Sequence, residues 1–435
     1  MNFEKSKALK QKSHDLIPGG AHTYAKGDDQ YPEMAPGFLE RGKGSHVWDL
    51  DGNEFIEYGM GLRSVTLGHA FEPVVEAAYR QMCMGINFTR PSSIEVECAE
   101  MLVDLIEGAE MAKFAKNGSD VTTAAIKLAR AYTGRDLVVI CEDHPFYSVD
   151  DWFIGTTEMS AGIPQVIKDL TLTFHYNDLE SLQRLFDEYP DQIACVFMEV
   201  ERLDPPKDNF LEKVKDLCHK NGALLLFDEI ITGFRWHLQG AQKYHNIIPD
   251  LSTFGKAMGN GFSISALVGK KEIMELGGLR HDKEKVFLLS TTYGAETHSL
   301  AAAIATMKIY KSEPVIEHLY RQGERLIQGI AQSVQEHNLE GYFGTIGKPC
   351  NLLFYTHDEN KQPSQPMRTL FLQEIIKRGI IAPSLVVSYS HTDEDIDRTL
   401  EAFNEALFVY RKGLDEGAEK YLIGKPTKHA VRKYN

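Results

Sequence analysis

The chain has 435 residues and a formal net charge of −15; 43% of its residues are hydrophobic and 25% charged, an ordinary globular balance. The length argues for two or three domains rather than one core, and no apolar run approaches the roughly 18 residues that cross a bilayer. The acidic excess argues against nucleic acid or an anionic membrane surface as partner, since both need clustered Lys and Arg.

In chain order, the first residues carry charge without the apolar stretch of a signal peptide. The spacing predicts a helix over 5–16, then an irregular Gly- and Pro-rich arm to about Gly44. Residues 45–56 read as a hairpin turning at Asp51-Gly52-Asn53. From about Gly68 to Met307, helix-like and strand-like segments alternate. Strands are expected at 137–141, 193–200, 223–227 and 264–268. Helices are expected at 73–82, 94–106, 119–132, 179–189, 209–221 and 298–310. Continuous apolar strands separated by amphipathic helices indicate an α/β fold with a mostly parallel sheet covered on both faces. A helix over 314–337, a strand over 351–355 and helices over 366–378 and 392–410 read as a smaller α+β domain. The tail from Gly413 is polar and is expected to be partly loose. The domain expectation is 1–67 as arm and part of the small domain, 68–310 as large domain, and 311–435 as the remainder of the small one.

The most informative residues are Asp228 and Lys256. Asp228 ends the apolar run Ala223-Leu224-Leu225-Leu226-Phe227, and Lys256 follows a second β-like run and Gly255. Ligands bind open α/β sheets at the carboxyl ends of strands. A lysine amine there can form a Schiff base with the aldehyde of pyridoxal 5′-phosphate (PLP), and a carboxylate can hold the pyridine nitrogen protonated so that the ring acts as an electron sink. The plainer reading of Asp228 is a cap for the next segment. Ile230, two residues on, would point to the same side and pack on a ring face. Asn117-Gly118-Ser119-Asp120 precedes a helix and reads either as a plain cap or as a phosphate cradle. Phe146 is a candidate for stacking on the second ring face. The sixteen histidines show no metal-ligand spacing, so no metal is expected. The six cysteines, Cys83, Cys98, Cys141, Cys195, Cys218 and Cys350, contain no CxxC pair, which suits a reduced, cytoplasmic protein.

Over nearly its whole length the chain resembles class III PLP-dependent aminotransferases, nearest the glutamate-1-semialdehyde aminomutase branch. The resemblance runs through Ile17-Pro18-Gly19-Gly20, Trp48-Asp49-Leu50-Asp51-Gly52, Leu67-Gly68-His69, Asn117-Gly118-Ser119, Leu128-Ala129-Arg130-Ala131-Tyr132-Thr133-Gly134-Arg135, Phe227-Asp228-Glu229-Ile230, Gly255-Lys256 and His391-Thr392-Asp393-Glu394-Asp395. It implies fold type I, a seven-stranded-type sheet, and a homodimer with shared active sites. By motif position it implies Lys256 as the Schiff-base lysine, Asp228 as the pyridine partner and Ile230 as a ring contact. Gly118 and Ser119 would hold the phosphate, Phe146 would stack, and Glu199 would lie near the cofactor. Thr292 would reach the neighbouring subunit's phosphate.

Departures from the family pattern bear on the substrate. Val200 follows Glu199 where Pro is usual, and Glu296 stands where Asn usually precedes Pro. Lys26 falls where aminomutases carry an arginine for the substrate carboxylate, and Lys cannot offer that bidentate fork. Arg63 is a new cation that could replace it. The segment Asp151-Trp152-Phe153-Ile154-Gly155-Thr156-Thr157 differs from the small-residue gating loop of aminomutases. It resembles relatives of cell-surface polysaccharide biosynthesis that act on oxo-sugars. The expectation is therefore an aminotransferase using an amino acid donor such as glutamate and an aldehyde or ketone acceptor. The alternatives are glutamate-1-semialdehyde 2,1-aminomutase and a non-catalytic PLP-binding protein.

Overall fold

A computed structural model describes residues 1–434. The chain forms two compact units: residues 1–71 with 317 onward, and Glu72–Ile316.

The smaller unit begins with the helix Glu4–Leu16, close to the span expected, and continues to β1 (Leu39–Lys43), β2 (His46–Asp49) and β3 (Glu54–Glu57). β2 and β3 form the hairpin expected from Asp51-Gly52-Asn53; Gly52 turns the chain at a φ of 89°, which favours a residue without Cβ. Its alternating side chains bury Val47 and Phe55 with Phe3, Ile376 and Ile381.

The larger unit holds β4 (Met111–Ala115), β5 (Leu137–Cys141), β6 (Thr171–Phe174), β7 (Ile193–Glu199), β8 (Leu224–Asp228), β9 (Leu251–Phe254) and β10 (Ser265–Gly269). They make one sheet in the order β4-β10-β9-β8-β7-β5-β6, in which only β10 runs antiparallel to its neighbours. The apolar runs of β5, β7 and β8 are buried throughout, as strands covered on both faces must be. The helix Gly118–Thr133 lays Val121, Ala125, Leu128 and Ala129 into the core with Val138, Ile140, Phe197 and Leu226. It ends at Gly134 in the left-handed conformation, φ 69°. β4 and β6 lie outside the expected strands because they are short and only partly apolar, and the hydrophobic signal in such runs is weak.

The chain then returns to the smaller unit through β11 (Phe343–Ile346), β12 (Leu353–Thr356) and β13 (Ile380–Ile381), which adds to β3 in parallel. The expectation of a partly loose tail is corrected in part. The last long helix continues to Glu416, and beyond it Thr427 N–H donates to Thr369 Oγ1 (2.9 Å) and Lys428 N–H to the Asp29 carbonyl (2.9 Å). Polar composition misleads here because these anchors use backbone donors, which every residue carries. Among the described residues no helix is long and apolar enough to cross a membrane.

Candidate active site

Three neighbouring parallel strands, β7, β8 and β9, bring Glu199, Asp228 and Lys256 to one edge of the larger unit's sheet. Register pairs Glu199 with Asp228 and Asp228 with Thr253, and Lys256 follows β9 by two residues. β4 runs parallel to β9 across the antiparallel β10, so the Asn117-Gly118-Ser119 turn leaves the sheet at the same edge. The carboxyl edge of a parallel sheet is where such folds bind ligands.

Asp228 is buried, and its described hydrogen bonds both fall on Oδ1, from Ile230 N–H (2.9 Å) and Thr253 Oγ1 (3.3 Å). The first is the local turn bond of the plainer reading, so Asp228 fills that role and still keeps Oδ2 for another donor. Burial pushes its pKa up to about 7; the Glu199 carboxylate pushes the same way and the Lys256 ammonium pulls back. Lys256 sits with φ at 44°, a left-handed backbone that a non-glycine residue holds at a cost of about 1–3 kcal/mol. Strain of this kind concentrates at functional sites.

Gly118 opens its helix against Ile230. A Cβ at 118 would come within 2.6 Å of Ile230 Cδ1, so this close approach requires glycine. Asn117 caps the helix by accepting from Asp120 N–H (3.2 Å), and its Nδ2 donates to Asp120 Oδ2 (3.0 Å). That box draws the Asp120 carboxylate back to Asn117. Ser119 Oγ accepts from Val149 N–H (3.0 Å). Phe146 is half exposed and meets the Phe153 ring edge-on at 5.6 Å. Thr292 is exposed, and its carbonyl accepts from Asn87 Nδ2 (3.0 Å). Among the described contacts none joins Phe146 or Thr292 to Asp228 or Lys256. In the smaller unit, Lys26 ends a short turn, and Arg63 donates from Nε to Asn351 Oδ1 (2.9 Å).

Two residues escaped the sequence reading. His144 Nδ1 accepts the Glu199 N–H (3.1 Å) and lies 3.0 Å from the Tyr147 hydroxyl; burial lowers the His144 pKa, so the ring is held neutral. Lys116, just before the turn, pairs with Glu296 at 2.7 Å, which gives the departure at 296 a local partner. No sequence spacing signals either contact, because each spans at least fifty residues.

A lysine, a raised aspartate and a Gly-Ser helix start on the carboxyl edge of a mostly parallel seven-stranded sheet are the parts of a PLP-dependent enzyme of fold type I. The residues fit that cofactor. Glu199 Oε2 is buried without a hydrogen-bond partner. Asp228 Oδ2 takes none of the described bonds, and the close approach at Gly118 keeps side-chain bulk off the helix start.

Comparison with known proteins agrees. Residues 27–407 match the aminotransferase class-III family. A glutamate-1-semialdehyde 2,1-aminomutase of Acetivibrio thermocellus is 33% identical over 437 residues, covering 95% of this chain and 99% of that protein. One of Archaeoglobus fulgidus is 32% identical over 429 residues, 94% and 100% of the two chains. The PLP form of the FumI protein of Sphingopyxis sp. MTA144 superposes with a TM-score of 0.87 at 28% identity, over 98% of this chain and 99% of that one. A Pseudomonas aeruginosa glutamate-1-semialdehyde aminomutase shares the fold, with a TM-score of 0.80 at 18% identity over 94% and 95%. The chain belongs to the class-III aminotransferase family, and PLP is its cofactor.

Proposed function

We propose that this enzyme moves an amino group between an amine and a carbonyl carbon, and that both are carried by one amino aldehyde of the glutamate 1-semialdehyde type. The buried Asp228, pushed up to about 7 beside Lys256, carries the catalytic part of this reading. The names of the curated relatives support the aminomutase part. When bound, PLP supplies an electron sink. Lys256 would hold it and, once released, carry a proton between carbons of the substrate and cofactor. Asp228 Oδ2 would accept the pyridine N–H and Glu199 Oε2 a further hydrogen bond. Gly118 and Ser119 would offer amide donors to the phosphate. Ile230 and Phe146 would bracket the ring. Two copies would share the site through Thr292. The half-exposed Ile86 and Phe88, which line one groove with Thr292, support such an interface.

A second reading is transfer between molecules, from an amino acid such as glutamate to a carbonyl acceptor, an oxo-sugar of surface polysaccharide among them. One observation favours it. Residues Asp151–Ile154 form a short helix whose Trp152 and Phe153 are buried, with Trp152 Nε1 donating to Thr123 Oγ1 (2.8 Å). A segment pinned in this way is poorly suited to gating an intermediate inside the site.

The test gives PLP-loaded protein glutamate 1-semialdehyde alone and, separately, L-glutamate alone. Formation of 5-amino-4-oxopentanoate without any added amine supports the first reading. Its absence, with glutamate converted stoichiometrically to 2-oxoglutarate, supports the second. Wild-type activity in Lys256→Ala would refute both.

A further inference from the structure

We infer that the smaller unit carries a binding site for a small oxyanion ligand, a phosphate ester or a di- or tricarboxylate, in a cavity walled by Arg63, Arg368 and Lys428. The inference does not depend on which amino-transfer reaction the enzyme performs.

The cavity measures about 500 Å³, within the range of small-molecule sites. It is assembled from five separate stretches of chain: residues 25–31 of the N-terminal arm, residues 59–63, β12 with the start of the helix Gln365–Ile376, residues 383–384, and residues 427–430 of the tail. The last stretch lies beyond residue 407, where the family match ends. It is held over the cavity by the bonds from Thr427 and Lys428 and by the ion pair of Arg432 with Asp29.

Charge is the informative property. The chain has 62 acidic residues against 47 Lys and Arg, so an arbitrary pocket would be lined by acids more often than by bases. The lining here contains Arg63, Arg368 and Lys428 with His357 and His429, and among the described residues neither Asp nor Glu. Arg368 and Lys428 form none of the ion pairs among the described residues, and a bound anion would offset the repulsion between cations gathered in one cavity.

Arg368 is the centre of the argument. Its guanidinium donates from Nη2 to the Pro383 carbonyl (2.7 Å) and lies 4.7 Å from the centre of the Phe354 ring. The guanidinium is half-buried, and none of the ion pairs among the described residues joins it to a carboxylate, the partner a desolvated charge normally takes. Burial lowers its pKa, and the only opposing influence is Tyr31, a phenol itself pushed up to about 12. A guanidinium has five N–H donors in a fixed fork that matches phosphate and carboxylate, and the described structure uses one of them. The helix Gln365–Ile376 begins at the cavity with Ser364 as its cap, so its positive end adds to the same field.

The experiment uses PLP-loaded protein, so that the cofactor's own phosphate site is filled. Citrate, glucose 6-phosphate and inorganic phosphate are titrated by calorimetry and by thermal shift, against sodium chloride of matched ionic strength. Saturable binding of at least one, beyond the chloride control, is expected; whether citrate or glucose 6-phosphate binds more tightly separates carboxylate from phosphate ligands. Arg368→Gln should weaken it roughly 10- to 100-fold, the loss of a charged hydrogen bond, without changing the PLP absorbance spectrum. Lys428→Gln, an exposed side chain whose change leaves the fold intact, should weaken it several-fold and decides the matter if Arg368→Gln does not fold. No binding beyond chloride, or unchanged affinity in the folded variants, overturns the inference.

Discussion

Two buried aspartates stand at opposite ends of β8 and β9, and the protein treats them in opposite ways. Asp250, just before β9, takes hydrogen bonds on both oxygens: Lys270 Nζ at 2.6 Å on Oδ1, and His219 Nε2 at 3.0 Å and Leu225 N–H at 2.8 Å on Oδ2. Despite burial, these donors hold its pKa below the usual carboxylate range. Asp228, at the end of β8, is bonded on one oxygen only and faces the Glu199 carboxylate, and burial lifts it to about 7. The amino end of the strand pair is closed on itself. The carboxyl end keeps electrostatic demand in reserve, which is how a site waits for a cationic N–H of a ligand.

The largest effect should come from Lys256→Ala. Activity is expected to fall by at least about 10²–10⁴-fold, the typical worth of a positioned proton-transfer group, with loss of the cofactor's lysine-linked absorbance band. Retained activity would break the contrast, because the carboxyl end would then hold nothing reactive.

Asp250→Ala should cost about 2–3 kcal/mol in urea unfolding, since Leu225 N–H is left buried without its acceptor. The wild-type contribution has a definite pH sense. A lowered folded pKa means that this stability is present above the ordinary carboxylate range and disappears as pH falls through it. A variant equal to wild type at neutral pH would show that the amino end is not the structural partner described.

Asp228→Asn sharpens the contrast from the other side. The folded pKa is raised, so the folded protein keeps a proton that the unfolded chain releases as pH rises from about 4 to about 7. Wild-type cofactor-free protein therefore loses stability across that window. The Asn variant should melt higher at pH 8, with the gain shrinking as pH falls toward 4, while the PLP-loaded variant loses activity. A lower melting temperature at pH 8 would mean that Asp228 is stabilised by partners as Asp250 is.

Gly118→Ala should raise the Kd for PLP by roughly 5- to 10-fold, because Ile230 must shift to admit a methyl group, a strain of about 1 kcal/mol. Equilibrium titration of apo protein with PLP measures it; an unchanged Kd would separate Ile230 from the cofactor. Trp152→Phe should cost about 1 kcal/mol of stability through the lost bond to Thr123, and should leave PLP affinity alone.

Much of this arrangement was legible in the sequence. The apolar run ending at Asp228, the Gly-Lys pair at 255–256 and the Gly-Ser turn at 118–119 each carry local chemistry that residue type expresses directly. The strands 137–141 and 193–199 follow from continuous apolar runs and the helix Gly118–Thr133 from its periodicity, since both patterns are local properties of the chain. The charge state of Asp228 was not legible, because it depends on Glu199, twenty-nine positions earlier, being placed beside it by parallel pairing. His144 behind Glu199 was invisible for the same reason. The cationic cavity was invisible too: five separate segments supply it, and a polar tail that composition marks as loose forms one wall.

The sequence by itself determined the family and its cofactor, since the residues proposed as the amine, the acid for the pyridine nitrogen and the phosphate turn must be particular residue types. Only the tertiary structure decided which of two buried aspartates is charged and closed and which is raised and open. A pKa answers to burial and to neighbours in space, and β-sheet pairing chooses those neighbours from anywhere along the chain.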